Sequence, residues 1–320
     1  MTKWHEKEMR AVYGETLNEL IAANPNVFCL EADLSKASGT NPSVAAKYPH
    51  NFINVGVAEA NMIGVSAGLA ASGKIPFCAT FTCFASRRVY DQITISVAYA
   101  NNNVKIVGTA PGVTAGPNGG THMCFQDLAI MRAMLNMHVY SPCDAYELRA
   151  VMRHMADHKQ PTYMQLIRHQ VAAIYDNDCT FDPTRAVRLR EGSDVTLVST
   201  GYMTHFALQA VNQLATLGVS AELLHYPSVK PFDVESLVHS ARRTGGVVTV
   251  ENQNNIGGLG GVVCETLAEH YPVPVKRLGV PDRFGEVATE EYLFNKHGFN
   301  VADIVASCKK MKAQQKRGAK

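Results

Sequence analysis

Short apolar strands and helical patterns alternate along almost the whole chain, and this alternation limits the possible folds more than any other feature of the sequence. Parallel strands need long crossover connections, usually helices, so repeated strand and helix patterns predict parallel sheets with helices on both faces. The predicted strands are Val27–Glu31, Ile75–Phe81, Val104–Gly108, His138–Tyr140, Thr162–Leu166, Val195–Ser199, Ala221–Leu224, Val247–Glu251 and Val275–Gly279. The predicted helices are His5–Ala23, Ala58–Ser72, Ser86–Tyr99, Leu128–Leu135, Ala145–His158, Thr204–Leu217, Val234–Thr244 and Gly261–His270. The pattern predicts an α/β fold with two doubly wound, mostly parallel sheets.

A polar, strand-poor stretch at residues 176–194 divides the alternation into two blocks. At the usual ~100 to 200 residues per domain, a chain of 320 residues fits two domains. We therefore expect a first domain at 1–175, a linker at 176–194 and a second domain at 195–312. The basic segment 313–320 is expected to be a frayed tail.

Composition excludes several classes of protein. Thirty Lys+Arg against 28 Asp+Glu give a net charge of +2 without a dense basic stripe, so we expect no nucleic acid partner. Apolar residues make up 46%, yet no uninterrupted apolar run approaches the ~20 residues that span a bilayer, so we expect no membrane insertion. The charged start MTKWHEKEMR is unlike a signal peptide, which favours a cytoplasmic location. The eight scattered cysteines are interpreted as reduced packing residues.

Four local patterns resemble known motifs but fit them poorly. Residues 64–68, Gly-Val-Ser-Ala-Gly, match the serine hydrolase elbow, and residues 68–75 nearly match a P-loop; both lie where a helical stripe runs into a strand, the reverse of the required order. Ser66 is therefore interpreted as a packing residue, with a hydrolase as the alternative. His154 and His158 lack the glutamate of a metalloprotease motif and are predicted to face solvent. The glycine-rich run 255–261 predicts a tight turn, with anion binding as the alternative.

A different set of residues suggests a functional site. Glu59 stands in the first turn of a predicted helix, just after a short strand. Phe81 and Phe84 lie three residues apart at a strand end, where they could form a stacking wall for a flat ring. The loop Gly112-Val-Thr-Ala-Gly-Pro-Asn-Gly-Gly-Thr-His122 is too rich in glycine to be core and delivers one imidazole.

Five segments in this order resemble the carboxyl-terminal half of a transketolase: EADLSKASGT, INVGVAEANMIGVSAGLAASGKIPF, TFTCFASRRVYDQI, GPNGGTH and LIRHQ. The resemblance covers nearly the whole chain and is closest to the separately encoded carboxyl-terminal subunits of split transketolases. Deoxyxylulose phosphate synthases and the beta subunits of 2-oxo-acid dehydrogenases share the glutamate at the helix start and the Asp-Gln pair but match the other segments less well.

The resemblance implies that the first domain binds the aminopyrimidine ring of thiamine diphosphate. Glu59 matches the glutamate that hydrogen-bonds a ring nitrogen and favours the imino tautomer. Phe84 matches the aromatic side chain that stacks on the ring, with Phe81 beside it, and Asp33 matches an aspartate near the cofactor. His122 matches the loop histidine that contacts sugar hydroxyls near the reacting carbon.

The resemblance also assigns residues that bind the phosphate end of the sugar substrate. Arg10 and Arg168 match two arginines that bind the sugar phosphate, and a guanidinium fork suits such a group. Ser38 is expected to add a hydroxyl there.

The sequence contains no Gly-Asp-Gly segment, the family motif that holds magnesium and the diphosphate. The resemblance therefore implies no metal site on this chain and an N-terminal partner subunit that holds Mg²⁺ (or Ca²⁺), with two copies of each subunit in an α2β2 heterotetramer. The second domain resembles the third transketolase domain, which mainly supports the dimer.

Three positions depart from common transketolases. Ala110 stands where a histidine is usual, Asn118 replaces an aspartate that faces the sugar, and Arg87 replaces an aromatic residue of the ring pocket. These departures predict an unusual ketose donor or aldehyde acceptor, or a different anionic end group. The expected reaction is transfer of a two-carbon glycolaldehyde unit from a ketose to an aldehyde. The alternatives are a 2-oxo-acid dehydrogenase beta subunit and a non-catalytic α/β binding protein.

Overall fold

The computed structural model describes residues 3–176 and 179–318, and two sheets organise them. The strands of the first part of the chain are β1 (Val27–Glu31), β2 (Phe52–Asn54), β3 (Ile75–Phe81), β4 (Lys105–Thr109), β5 (His138–Tyr140) and β6 (Thr162–Leu166). Those of the second part are β7 (Val187–Arg190), β8 (Val195–Ser199), β9 (Ala221–His225), β10 (Ser228–Lys230), β11 (Val247–Asn254) and β12 (Val275–Val280).

Both sheets are mostly parallel. The first has the order β10-β5-β6-β4-β3-β1-β2, in which β10 is antiparallel to β5 and the other neighbours are parallel. The second has the order β12-β11-β8-β9-β7, with β7 antiparallel to β9. The predicted α/β fold with two doubly wound, mostly parallel sheets is confirmed.

Helices cover both faces of the sheets. They are α1 (Met9–Ala23), α2 (Ser35–Ser38), α3 (Ser43–Lys47), α4 (Glu59–Ala71), α5 (Thr82–Ala85), α6 (Tyr90–Gln92), α7 (Asp127–Ala133), α8 (Ala145–Asp157), α9 (Met203–Thr216), α10 (Val234–Thr244), α11 (Leu259–His270), α12 (Glu290–His297) and α13 (Val301–Gly318). Three 3₁₀ turns, Trp4–Glu6, Arg87–Val89 and Gly112–Asn118, and a π-helix, Ile93–Tyr99, complete the backbone.

Side-chain alternation along the strands separates the core of the first sheet into two layers. Cys29 and Phe77 pack on one face with residues of α1 and α8. Leu30 and Cys78 pack on the other face with residues of α4, the π-helix and α7. Successive residues of a strand point to opposite faces, so an unbroken apolar strand supplies both layers.

The structure differs from the sequence prediction in several segments. The predicted helix Ser86–Tyr99 is a 3₁₀ turn, a short α-helix and a π-helix in series, in a segment whose β-branched run disfavours the α form. The polar stretch 176–194 was predicted to be a linker, but it contains strand β7. We retain this stretch as the proposed boundary between the two domains. α13 continues to Gly318 through the segment predicted to fray, because Ala, Gln, Lys and Arg favour helices. Residues 319 and 320 lie outside the described residues.

The weakly matching motifs are explained by packing. Ser66 is fully buried in the middle of α4, and the chain passes from α4 into β3, an order that fits neither an elbow nor a P-loop. The carboxylate of Glu251 accepts hydrogen bonds from the backbone N–H groups of Leu259 and Gly260, at 2.8 and 2.7 Å. The protein's own carboxylate therefore occupies the place at the start of α11 where an anion could bind.

The prediction for the histidine pair is half wrong. His158 is exposed, but His154 is partly buried, stacks on His158 at 4.0 Å and packs against Phe181. Burial lowers the pKa of His154 to about 4. Among the described residues no helix has the length and apolar character needed to cross a membrane.

Candidate active site

The carboxyl ends of four neighbouring strands bring the predicted site residues to one edge of the first sheet. Strands β6, β4, β3 and β1 are adjacent and parallel, so their ends meet there. Arg168 follows β6, Ala110 follows β4, Phe81 ends β3 and Asp33 follows β1. Ligands of doubly wound sheets bind at such an edge.

Glu59 is the first residue of α4 and is buried. A carboxylate at this position is favoured by the helix dipole. Its Oε1 accepts a hydrogen bond from Nη1 of Arg88 at 2.8 Å. The guanidinium of Arg88, half exposed, lies 3.9 Å from the ring centre of Phe84. Arg88 was not predicted as a site residue, and the only sequence signal for it is a pair of adjacent arginines.

Three rings form a compact aromatic group beside this ion pair. The ring centres of Phe81 and Phe84 are 6.1 Å apart. His122 packs edge-on against both, at 5.9 Å from Phe81 and 5.5 Å from Phe84. The structure thus brings these three predicted residues together.

The loop that carries His122 is held by the second domain. Gly112 has φ +60°, and a side chain there would overlap Asn252. A side chain at Gly116 would likewise overlap the backbone oxygen of Ala288. Val113, Ala115, Met123 and Phe125 are part of the hydrophobic core that α9, α12 and α13 share with the second sheet. The second domain therefore also positions this site loop, a role that the sequence did not indicate.

Arg87 secures the same loop from the other side. Its Nη2 donates to the backbone oxygen of Thr121 at 3.1 Å, next to His122. The departure at position 87 thus has a structural role at the rim of the ring pocket. Asn118 is exposed at the end of the 3₁₀ turn, and Ala110 is buried in the left-handed region at φ 54°.

Arg10 and Arg168 are neighbours. The backbone N–H of Arg10 donates to the carbonyl oxygen of Arg168 at 3.3 Å, and that of Met9 donates to the carbonyl oxygen of His169 at 3.2 Å. Burial and the nearby charge of Arg10 lower the pKa of Arg168. The guanidinium of Arg168 lies 5.0 Å from the ring centre of Phe81, so the arginine pair adjoins the aromatic group.

Asp33 and Ser38 occupy different environments. Asp33 is exposed with φ 61°, and its backbone N–H donates to Oδ1 of Asn54 at 3.0 Å. The buried hydroxyl of Ser38 lies 2.5 Å from Oε1 of Glu31, and that of Thr40 lies 2.7 Å from the same atom. Ser38 therefore hydrogen-bonds the buried carboxyl group of Glu31, which was not predicted from the sequence. Burial raises the pKa of Glu31 to about 8.

These residues fit one half of the expected cofactor. A carboxylate paired with a cation, beside an aromatic wall on which that cation packs, suits a flat ring with nitrogen acceptors and donors. Possible metal ligands gather elsewhere among the described residues, where Cys143, Glu147 and His225 are buried together. That group is internally hydrogen-bonded, with Nε2 of His225 at 2.9 Å from Oε2 of Glu147, and β9 of the second domain supplies its histidine.

Comparison with known proteins identifies the family of the chain. The family model described as "Transketolase, pyrimidine binding domain" matches residues 5–172, and "Transketolase, C-terminal domain" matches residues 184–304. The chain is 48% identical to the "6-deoxy-6-sulfo-D-fructose transketolase subunit SqwH" of Clostridium sp. (strain MSTE9), over 95% of this chain and 94% of that one. It is 35% identical to an apulose-4-phosphate transketolase subunit of Phocaeicola vulgatus, over 92% of this chain and 94% of that one.

A solved structure described as "Split gene transketolase, inactive beta4 tetramer" is also similar. It superposes with a TM-score of 0.89 at 43% identity, over 96% of this chain and 99% of that one. Family membership implies thiamine diphosphate as the cofactor and a partner alpha subunit. The chain belongs to the transketolase family, among the carboxyl-terminal subunits of split transketolases.

Proposed function

We propose that this chain is the carboxyl-terminal subunit of a two-component transketolase that moves a glycolaldehyde unit from an anionic ketose to an aldehyde. The observation that carries the proposal is a continuous row of contacts along one sheet edge. It runs from Glu59 through Arg88, Phe84, His122 and Phe81 to Arg168, and so joins a ring-binding end to an anion-binding end.

Each residue has a role in this proposal. Glu59 shares a proton with a ring nitrogen of the cofactor. The hydrogen bond that Arg88 donates to Glu59 must break for this contact to form. His122 holds hydroxyls near the reacting carbon, and Arg10 and Arg168 hold the anionic end. Thiamine diphosphate, when bound, supplies the electron sink for carbon–carbon bond cleavage. The protein's share is position and electrostatics.

A partner subunit is required in this proposal because the diphosphate and Mg²⁺ (or Ca²⁺) need ligands that this sequence lacks. One face of α4, beginning beside Glu59, is available to that partner. Gly64 and Gly68 have open space where a side chain would lie. Val57, just before α4, and Tyr99, at the end of the π-helix, are 76% and 85% exposed. Small residues allow a partner helix to approach closely. In an α2β2 assembly this face of α4 would be covered in both copies of the chain. The description of the solved relative as inactive in its β4 form favours the same requirement.

A sulfonate-ended ketose is our first candidate donor. The relative at 48% identity is named for 6-deoxy-6-sulfofructose and the relative at 35% for apulose 4-phosphate. Sulfonate and phosphate end groups both present oxygens that guanidinium forks bind. The departures at Ala110 and Asn118 agree with an unusual sugar.

The test is a donor panel on the enzyme assembled with an N-terminal subunit, thiamine diphosphate and Mg²⁺. We expect kcat/KM for 6-deoxy-6-sulfofructose, with glyceraldehyde 3-phosphate as acceptor, to exceed that for xylulose 5-phosphate. Better use of xylulose 5-phosphate with ribose 5-phosphate would overturn the proposed specificity. Oxidative decarboxylation of pyruvate instead would support the dehydrogenase alternative.

Arg168→Gln is expected to raise KM for the anionic donor ~10- to 100-fold, because it removes charge-assisted hydrogen bonds to the end group. The value of kcat should change much less, since this end lies away from the reacting carbon. Steady-state kinetics of the assembled enzyme measure both. The matched control is Arg185→Gln, which breaks an exposed ion pair with Glu235 and should leave KM unchanged. An unchanged KM in Arg168→Gln would remove this arginine from the site.

A further inference from the structure

The segment that carries Arg168 is tied to two other parts of the chain. Backbone hydrogen bonds join it to the start of α1, where Arg10 lies. On its far side, His169 reaches Glu290 at the start of α12, a residue 121 positions away in the sequence. Contacts with α1 of the first domain and with α12 of the second domain therefore position the arginine pair.

The hydrogen bonds of His169 determine its charge. Nε2 lies 3.1 Å from Oε1 of Glu290, and Nδ1 lies 3.0 Å from the carbonyl oxygen of Gln170. A carboxylate and a carbonyl oxygen only accept hydrogen bonds, so a ring that satisfies both must carry two protons and is an imidazolium. The hydroxyl of Tyr202 donates to the other oxygen of Glu290 at 3.2 Å, and its ring packs edge-on against the imidazole at 5.3 Å.

We propose that the His169–Glu290 pair is a positioning device that holds Arg168 and Arg10 in place for the anionic end of the ketose and makes donor binding depend on pH. This inference rests on the proposed function. Protonated His169 also adds a positive charge close to the arginines. Loss of its proton removes that charge and leaves the ring able to donate to only one of the two oxygens, that of Glu290 or that of Gln170.

The direction of the pH dependence follows from the groups around the ring. The hydrogen bond from His169 to Glu290 raises the pKa of His169 above 6.5, with a smaller contribution from the carbonyl oxygen of Gln170, whereas burial and the charge of Arg168 lower it. Tyr202, just before α9, and the Arg10–Glu8 pair at the start of α1 are further polar and charged groups on the packed elements. Because the folded pKa is raised, the pair is intact below it and is lost as the pH rises through it.

The first experiment measures kcat and KM of the assembled holoenzyme for the anionic donor from about pH 6 to about pH 9, the range in which a histidine pair titrates. We expect KM to rise at the alkaline end while kcat changes little. His169→Gln keeps a polar side chain without the charge, and we expect it to raise KM ~5- to 20-fold at the acidic end and to flatten the KM profile. Glu290→Gln should shift the profile toward lower pH. The control His158→Gln alters an exposed histidine at the C-cap of α8 and should match the wild type.

A second measurement does not depend on activity. In NMR titrations of the full chain, the imidazole signal of His169 is identified as the one that is missing in His169→Gln. In the wild type this signal should titrate above pH 6.5. In Glu290→Gln it should titrate at a lower pH than in the wild type. Titration of His169 at or below 6.5, or a wild-type KM profile in His169→Gln, would overturn the inference. An assembled enzyme that transfers no glycolaldehyde would refute the proposed function instead, and the titration would still decide whether the ion pair exists.

Discussion

Glu59→Gln is expected to lower kcat of the assembled enzyme about 10³-fold, because general acid–base contributions of positioned side chains are typically of this order. Glutamine keeps the size and a hydrogen-bonding group of the side chain but cannot share a carboxyl proton with the cofactor's ring nitrogen. The melting temperature of the chain should stay close to that of the wild type, since the Arg88 partner is half exposed and such pairs contribute ~1 kcal/mol or less. Steady-state kinetics and thermal unfolding measure the two effects.

The matched control for this substitution is Glu235→Gln. It makes the same chemical change in another Arg–Glu pair, which is exposed and joins Arg185 of the linker to the second domain. Full activity is expected in the control. Full activity in Glu59→Gln as well would favour the non-catalytic alternative and remove the central residue of the proposed site.

His225→Leu is expected to destabilise the chain by ~3 to 5 kcal/mol, the usual cost of leaving a buried charge without its partner. Both residues of the pair are buried, and Nε2 of His225 lies 3.0 and 2.9 Å from the two carboxylate oxygens of Glu147. The pair joins β9 of the second domain to α8 of the first. The loss should therefore appear as a lower midpoint in urea unfolding and as weaker association of the two domains.

A double substitution provides the control. Replacing Glu147 and His225 together by leucine removes both partners and leaves no unpaired carboxylate, so most of the stability lost in the single variant should return. Burial raises the pKa of Glu147, but the charge and hydrogen bond of His225 oppose this and leave it below 4.5. The pair's stabilising contribution is thus present above about pH 4.5 and is lost as the pH falls through the folded pKa. A single variant as stable as the wild type would show that this contact does not hold the domains together.

Much of the fold could be predicted because buried parallel strands are continuous apolar runs. The bounds of β1, β3, β5, β6 and β8 agree with those predicted from the sequence. Strand β10 could not be found in this way, because it has three residues and pairs with β5, far away in the sequence. Strand β7 was also hidden, since its half-buried and exposed residues alternate within a polar stretch.

The site was predictable where a local motif carries the residue. Glu59, Phe84 and His122 lie in such motifs, and the structure brings them to the same sheet edge. Arg88 and His169 were missed because their partners are 29 and 121 residues away, and a long-range ion pair leaves no periodic trace in a sequence. Ser38 lies in a motif, but its hydroxyl contacts the buried Glu31, a contact that the sequence resemblance alone did not reveal.

The most direct test of the split-enzyme account is calorimetric titration of thiamine diphosphate with Mg²⁺. It is made on the purified chain alone and again with an N-terminal transketolase subunit. The account predicts binding only in the mixture, because the ring-binding residues are on this chain and the diphosphate ligands are on the partner. Tight binding by the chain alone would contradict it, since the chain would then contain a diphosphate site of its own.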